Sequence, residues 1–481
     1  MIPFAGEAST LYLLDGHHDV GEGDISFTES QKLHRKLRGR NVELFAVGGA
    51  IGTSLFVQMG AALPKGGPAG LFLGFLAYGT IVMAVNECFT EMVCYMPIPS
   101  PLVRLARHWV EDALSFAMGR NFFLTMALNI PYEVVAINIL LTYCTDKVPV
   151  VAVSSQCLDA GMMPITASRS LNVLTVRYFG GPEFYLSFFK IFLMVGLILY
   201  TFVTVVGGSP DYDAIKSRYW KDPGAFVSYL VPGDTSGFLG VSSCMIQGSF
   251  TRKVMRKAFA SFGWRLILFF YLGALCIGIV VPYNDPTWAA MLDGTAKGSG
   301  TGAASPYVIS MNHFGIQVLP DIANALIMAS VLSAGNNVDF PPRGHSTVLN
   351  WLVSCITKSY LLNYFGTCIT YLHFHASPGH FQPYTAWYAL CETGVMTLIL
   401  GYNLFLSGSW DLTTTLLNYV LIAFSALTFV FWKVFRRTQY VGIGRADLQL
   451  GGIRREIDEY GELEYARKRG KPGAFLDRLF E

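Results

Sequence analysis

The chain has 481 residues, of which 52% are hydrophobic and 14% charged, with a mean hydropathy of +0.41. A soluble domain carries about 25% charged residues, and the deficit is concentrated: Leu44 to Asn86 holds one charge, Lys65, in a Pro-Lys-Gly-Gly-Pro turn. A soluble globular protein is thereby excluded, lipid is the expected surrounding, and no nucleic-acid partner is expected. The net charge of +2 says little by itself, because placement of charge decides topology in membranes.

Met1 to Ser30 is polar and mildly acidic, without the basic start and apolar core of a secretory leader, so the first true span is expected to direct insertion. A helix needs about 20 apolar residues to cross the hydrocarbon core. By that measure spans are predicted at Val42–Met59, Ala69–Val93, Phe122–Thr142, Phe184–Val206, Leu266–Val281, Thr385–Leu406 and Leu412–Trp432. Asp321–Val338 is barely long enough, and Thr347–Leu372 carries Lys358 in mid-span. Two stretches fit badly. Val148–Val176 is interrupted by Asp159, Pro164 and Arg169, and a central Asp or Arg costs about 2.5–3.5 kcal/mol on insertion scales. Phe238–Thr251 has only 14 residues, about 21 Å of helix against a core of about 30 Å.

Basic flanks set the orientation. Lys32, Arg35, Lys36, Arg38 and Arg40 precede the first span, and Lys433, Arg436 and Arg437 follow the last, so both termini are expected in the cytoplasm. Equal sides demand an even number of crossings. The cluster Arg252, Lys253, Arg256 and Lys257 also favours the cytoplasm. The expected division is a cytoplasmic tail at 1–41, a transmembrane core at 42–435 and a second cytoplasmic tail at 436–481, which reads as a charged, solvated helix beyond Gly452.

All nine cysteines lie in or beside apolar segments with no CxxC pair, so they read as reduced core residues rather than a disulfide frame or metal site. The nine histidines form no ligand pattern within a span, and HExxH, GxSxG and clustered carboxylates are absent. An enzyme is the least favoured class, and neither a cofactor nor a metal is expected.

The run LHRKLRGRNVELFAVGGAIGTSLFVQMG, Leu33 to Gly60, resembles the opening signature of fungal amino-acid permeases of the APC superfamily. Further matches are NECFTEMVCYMP (86–97), NIPYEVVAIN (129–138), EFYLSFFKIFLMVGLILY (183–200) and SPYVISMN (305–312). The resemblance implies an all-α integral membrane protein with the APC-type inverted-repeat transporter fold, about 10–11 spans here against the usual 12. It also implies a symporter importing amino acids with protons, multi-pass in the plasma membrane.

Site residues follow from both readings. Gly48, Gly49, Ile51, Gly52 and Thr53 sit mid-span, where consecutive glycines weaken a helix. A break there frees N–H groups at the start of the next half-helix, which suits a substrate carboxylate as the family's fold implies; close helix packing is the plain alternative. Glu133, after Pro131-Tyr132, is a mid-span carboxylate and thus a functional candidate. The resemblance implies that it is protonated during transport or faces the substrate amine, the alternative being a buried polar pair. Lys190 is the lone charge of its span. In proton-coupled relatives a lysine on the matching helix is thought to replace a sodium ion; the alternative is a lysine snorkelling to the interface. Glu87 and Glu91, one turn apart, read as packing and gate charges. Ser333 and Asn336 resemble a polar patch on the eighth span, and Phe250 an aromatic gate.

Two elements of the family pattern are missing. Thr251 runs straight into Arg252, without the second half of the sixth span, and Asn337-Val338 passes through DFPPRGHS into what resembles the tenth span, without the ninth. If the sixth segment and the ninth span both go uncounted, Arg252 to Lys257 face outside; if only the ninth is lost, one terminus changes sides. Lys358 and Glu392 also stand where apolar or small residues are expected. A non-functional remnant or a mispredicted coding sequence is therefore carried beside the transporter reading, as is a nutrient-sensing relative.

Overall fold

The computed structural model of the chain describes residues 55, 59–96, 98, 100–141, 176–210, 214–229, 233, 235–248, 266–286, 305–334, 345–375, 383–402 and 412–442. The first helix, α1 (Met59–Tyr95), contains Pro64 and Pro68 and leaves helical geometry at Gly67, where φ is 70° and ψ 178°. The predicted turn is therefore a break, and the predicted span Ala69–Val93 is the helix after it. Pro68 suits that restart because its missing N–H has no partner to lose. Only glycine takes this φ without strain, and a Cβ at Gly67 would lie 2.7 Å from the Ala225 carbonyl. The N–H of Ala69 donates to that same carbonyl at 3.0 Å.

The helices that follow are α2 (Pro101–Trp109), α3 (Asp112–Leu141), α4 (Val176–Val206) and α5 (Thr235–Gly248). A π-helical turn, Leu266–Tyr271, leads into α6 (Leu272–Val280). Then come α7 (Pro306–His313), α8 (Leu319–Ala334), α9 (His345–His375), α10 (Pro383–Ile399) and α11 (Leu412–Arg436). The expected span Val42–Met59 lies outside the described residues except for Leu55 and Met59, and Val148–Val176 except for Val176. The span expected at Thr385–Leu406 ends at Ile399, followed by Gly401 at φ 101°. α2 is amphipathic, burying Leu105, Ala106 and Trp109 and ending in Arg107 and His108.

Polarity is arranged inside out. Phe192, Phe202 and Val206 are 68%, 66% and 67% exposed, whereas Lys190 and Lys358 are 2% and 0%. On α4 the buried stripe Lys190, Leu193, Met194, Leu197, Tyr200, Thr201 and Thr204 recurs at helical spacing, with phenylalanines on the opposite face. An apolar exterior around a polar interior is the arrangement a bilayer demands. Met59–Tyr95, Phe188–Val206 and Thr414–Arg436 are each long and apolar enough to cross one, and only 11% of the apolar window in the last is buried.

Cross-helix contacts order the ends. Near the close of α1 and α9, Tyr371 OH donates to the Glu91 carboxylate, so the two run parallel. α11 runs with α9: Trp351 Nε1 donates to Thr414 Oγ1 at 3.2 Å, and His373 Nε2 lies 2.7 Å from the Tyr440 hydroxyl. α3 opposes α9, with Gly366 against Met118 and Asn121 Nδ2 donating to the Ser359 carbonyl at 2.8 Å. One end of the bundle thus holds Arg107, Lys433 and Arg436, and is called here the basic end. α5 starts from the far end beside α1, Gly66 meeting Gly240 and Gly74 meeting Met245. α6 returns towards the far end, Tyr271 lying against Gly79 and Gly278 against Pro68, and α4 runs with it.

This order bears on the parity problem. Arg252 to Lys257 fall between a helix directed to the basic end and one directed away from it. α3 finishes at the far end and α4 starts from the basic end. α7 is tied to the far end by His313 Nε2, 3.3 Å from Asp285 Oδ2, so α8 also departs there and enters the bundle along α3 and α4. α9 departs from the far end as well. Two consecutive helices therefore set out from the same end, with ten residues, 335–344, between them.

Candidate substrate pathway

α5 is held by a seam of small residues. Gly66, Gly70 and Gly74 recur every four residues on α1, and Gly240, Val241 and Cys244 of α5 press against them. A Cβ at Gly74 would stand 2.6 Å from Cys244 Cβ, and one at Gly66 would stand 2.5 Å from Cys244 Sγ. Such close approach is how helices associate where lipid removes the hydrophobic drive. It seats the described part of α5 against α1.

The predicted carboxylate-binding residues Gly48, Gly49, Ile51, Gly52 and Thr53 lie outside the described residues. Leu55, two residues beyond Thr53, is 1% exposed and belongs to the main core cluster with Met59, Met194 and Leu197. Gly273 on α6 faces all three of Met194, Leu55 and Met59. Lys190 lies one turn before Met194 on the same buried face of α4. The structure thus brings the neighbourhood of the glycine motif to the helix of Lys190, and Lys190 is buried rather than spread along the surface.

Glu133 is on α3, which continues through Pro131 to Leu141; its side chain is outside the described set. By register it continues a row at every fourth residue, Asn121, Thr125, Asn129, Glu133. The first three are buried, at 1%, 0% and 5% exposure. Ser359 of α9 closes on this row, its hydroxyl within 2.9 Å of the Asn121 carbonyl and sharing a hydrogen bond with Thr125. Asn129 Nδ2 donates to the Thr125 carbonyl at 2.6 Å and to the Tyr360 hydroxyl at 3.4 Å. Pro131 supplies no N–H to the Ala127 carbonyl. α8 packs on both α3 and α4, so the helix of Ser333 lies between those of Glu133 and Lys190. Ser333 stands in its last turn, its side chain not among the described ones. Asn336 and Phe250 lie outside the described residues.

Sequence reasoning missed a polar group where α1, α5 and α9 meet. Tyr78, Tyr360 and Tyr364 are all buried, the last two stacked at 6.2 Å, and Tyr78 interacts electrostatically with both. Val82, Ile246 and Leu361 share one cluster. Beside them in sequence stand three buried amides, Asn86, Gln247 and Asn363. Asn86 Oδ1, Gln247 Oε1 and both amide atoms of Asn363 have no hydrogen-bond partner among the described residues. Their signal was an uncharged polar residue inside each apolar run.

The remaining charges are distributed plainly. Glu91 receives the Tyr371 hydrogen bond and Glu87 is exposed. Glu392 is half-buried on α10. Lys358 is fully buried with its Nζ 3.8 Å above the Tyr419 ring, and the amine has no hydrogen-bond acceptor among the described residues.

An apolar exterior around buried charge defines a polytopic helical membrane protein. The family model for amino acid permeases matches residues 41–343. The general amino acid permease AGP2 of Saccharomyces cerevisiae is 31% identical, over 90% of this chain and 84% of that protein. Proline-specific permeases of Saccharomyces cerevisiae and Emericella nidulans are 28% and 29% identical, over 94% and 95% of this chain and 84% and 94% of theirs. Among solved structures, a manganese transporter of Eremococcus coleocola aligns at 13% identity and a TM-score of 0.46, over 83% of this chain and 94% of that one. The chain belongs to the amino acid permease family, with its APC-type helical fold, and is not an enzyme. Its alignment with AGP2 spans 524 positions against 481 residues, so at least 43 positions of the alignment face no residue here. That agrees with internal deletions, and the family match ends at Arg343, inside the ten-residue link between α8 and α9.

Proposed function

We propose that the chain carries amino acids inward across the plasma membrane of a fungal cell, coupled to protons. The substrate carboxylate is held at Gly48 to Thr53, with Phe250, Ser333 and Asn336 around it. Lys190 and Glu133 exchange the proton. The observation that carries this reading is the burial of Lys190 on the inward face of α4, one turn from residues packed around Leu55. A buried ionisable group within a bundle marks a transport path more often than a scaffold. The buried amide atoms of Asn86, Gln247 and Asn363 that have no hydrogen-bond partner among the described residues favour a polar solute in the same interior.

A second reading has its own support. The consecutive departure of α8 and α9 from one end favours a remnant derived from a working permease. The test is uptake of radiolabelled amino acids at acidic and neutral pH in permease-deficient cells. The chain is compared with a version in which both missing segments are restored, at matched surface levels. Uptake by the chain itself, stronger at acidic pH, is expected, and Glu133→Gln and Lys190→Met should each abolish the acidic stimulation. Uptake by the restored version alone establishes the remnant, and unchanged kinetics in both variants removes the proton role.

A further inference from the structure

We infer that residues 438–441, just beyond α11, form an autoinhibitory strap that holds the basic end of the bundle shut and has to release α9 before that end opens. The inference rests on the transporter reading above. From the tyrosine and amide group, one buried face of α9 runs to the basic end as Tyr360, Tyr364, Thr367, Tyr371 and Phe374, at helical spacing. α1 closes on its last turns, Glu91 accepting the Tyr371 hydrogen bond and Tyr95 meeting Phe374 edge-on at 5.2 Å. α2 closes from another side, the Trp109 ring stacked on Phe374 at 4.8 Å and 25°. Phe374 and Trp109 are both 0% exposed, so two rings from two helices plug this end.

The strap grips the chain neighbour of each ring. His373 precedes Phe374, and its Nε2 lies 2.7 Å from the Tyr440 hydroxyl. Val110 follows Trp109, and its carbonyl accepts from the Val441 N–H at 2.8 Å. Two consecutive residues of the strap thus bridge the two sides of the plug. His373 Nδ1 lies 2.9 Å from the Ile369 carbonyl, which can only accept, so Nδ1 carries a proton. In the neutral ring Nε2 then accepts from Tyr440. The two rings also meet edge-on, at 5.4 Å and 83°.

The root of the strap is anchored to the junction of α2 and α3. Trp432 Nε1 donates to Asp112 at 2.8 Å and Lys433 pairs with Glu111 at 2.9 Å, beside the carbonyl that holds Val441. Arg437, at φ 48°, turns the chain back at the close of α11. From that junction Tyr440 reaches across to the end of α9. It is 54% exposed whereas His373 is 4% exposed, and a contact so open to water breaks and re-forms more readily than core packing. With Tyr440 released, α9 is free to draw Phe374 away from Trp109 while the end of α11 stays pinned.

The test follows the native Cys88, 1% exposed and clustered with Tyr371, Phe374 and Trp109. The purified full chain in nanodiscs is treated with a water-soluble maleimide, and labelling is read peptide by peptide by mass spectrometry. Tyr440→Ala should label Cys88 about two- to tenfold faster than the parent, the change that loss of one hydrogen bond brings to an opening equilibrium. Tyr440→Phe, which keeps the ring, should fall between them. Cys276, 4% exposed on α6, should keep the parent's rate in both. Unchanged labelling of Cys88 in Tyr440→Ala overturns the strap, and so does equal acceleration at Cys88 and Cys276, which is general loosening. Should Tyr440→Ala not fold, Tyr440→Phe decides by the same comparison. In permease-deficient cells Tyr440→Ala should raise the maximal rate of amino-acid uptake by a similar factor. A parent that transports and a variant that is no faster overturns the inhibition. Absence of uptake by both strikes the transporter reading instead, and the labelling of Cys88 still decides whether residues 438–441 hold this end shut.

Discussion

Lys358 is an ionisable amine buried in the bundle, facing one aromatic ring and no hydrogen-bond acceptor among the described residues. The ring contributes about 0.5–2 kcal/mol, less than the several kcal/mol that burial of an ion costs. Lys358→Met, which keeps the stem and deletes the amine, should therefore raise the unfolding temperature, and Tyr419→Leu should lower it. Scanning fluorimetry in detergent reads both, and a fall for Lys358→Met would assign the amine a partner. Lone charges of this kind were legible in the sequence because each interrupts an apolar run. The tyrosine and amide group was not. Asn and Tyr carry no formal charge, and their grouping depends on which helices face each other. That Ser359 closes on Asn121 and Thr125 is a matter of helix pairing, which no single run of residues encodes.

The seam between α1 and α5 belongs to the scale of elements. Its spacing of four was visible as Gly66, Gly70 and Gly74, but its partner was not, since α5 reads only as a span too short to cross. Gly74→Leu should unseat α5, at a cost of about 1–3 kcal/mol from overpacking. Gly196→Leu on α4, where nothing lies within 4 Å of an added Cβ, should be near neutral. Limited proteolysis and unfolding temperature separate the two, and equal effects would remove the seam as the cause. Helix positions were legible to within a few residues for most spans, because apolar length is a local property. α2 was passed over for the same reason. Its nine residues are too few to cross, and only its burial of Leu105 and Trp109 against neighbours reveals it as structural.

At the scale of the molecule, the sequence posed a parity conflict, and the order of ends among the described helices bears on it. The conflict arose because charge clusters report sides but cannot report which crossing is missing. With α9 leaving from the far end, α11 ends at the basic end, as Lys433, Arg436 and Arg437 require. An impermeant maleimide applied to intact cells should therefore label Asn284→Cys, exposed beside Asp285. It should label Gln439→Cys, exposed beyond α11, only after permeabilisation. Signal above the parent's native cysteines is the readout, and reversal of the two would overturn the assignment.

The shared departure point of α8 and α9 bears on biosynthesis. A ribosome threads helices in order, each emerging opposite to the one before, and α9 breaks that alternation. The trio α9, α10 and α11 is then oriented by its own cations and by docking against α3, after its predecessors are already in place. Lys433, Arg436 and Arg437 act as a keel for that late step. Neutralising all three would let a fraction of newly made molecules settle with the trio upside down, a fraction that the label on Gln439→Cys would count in intact cells.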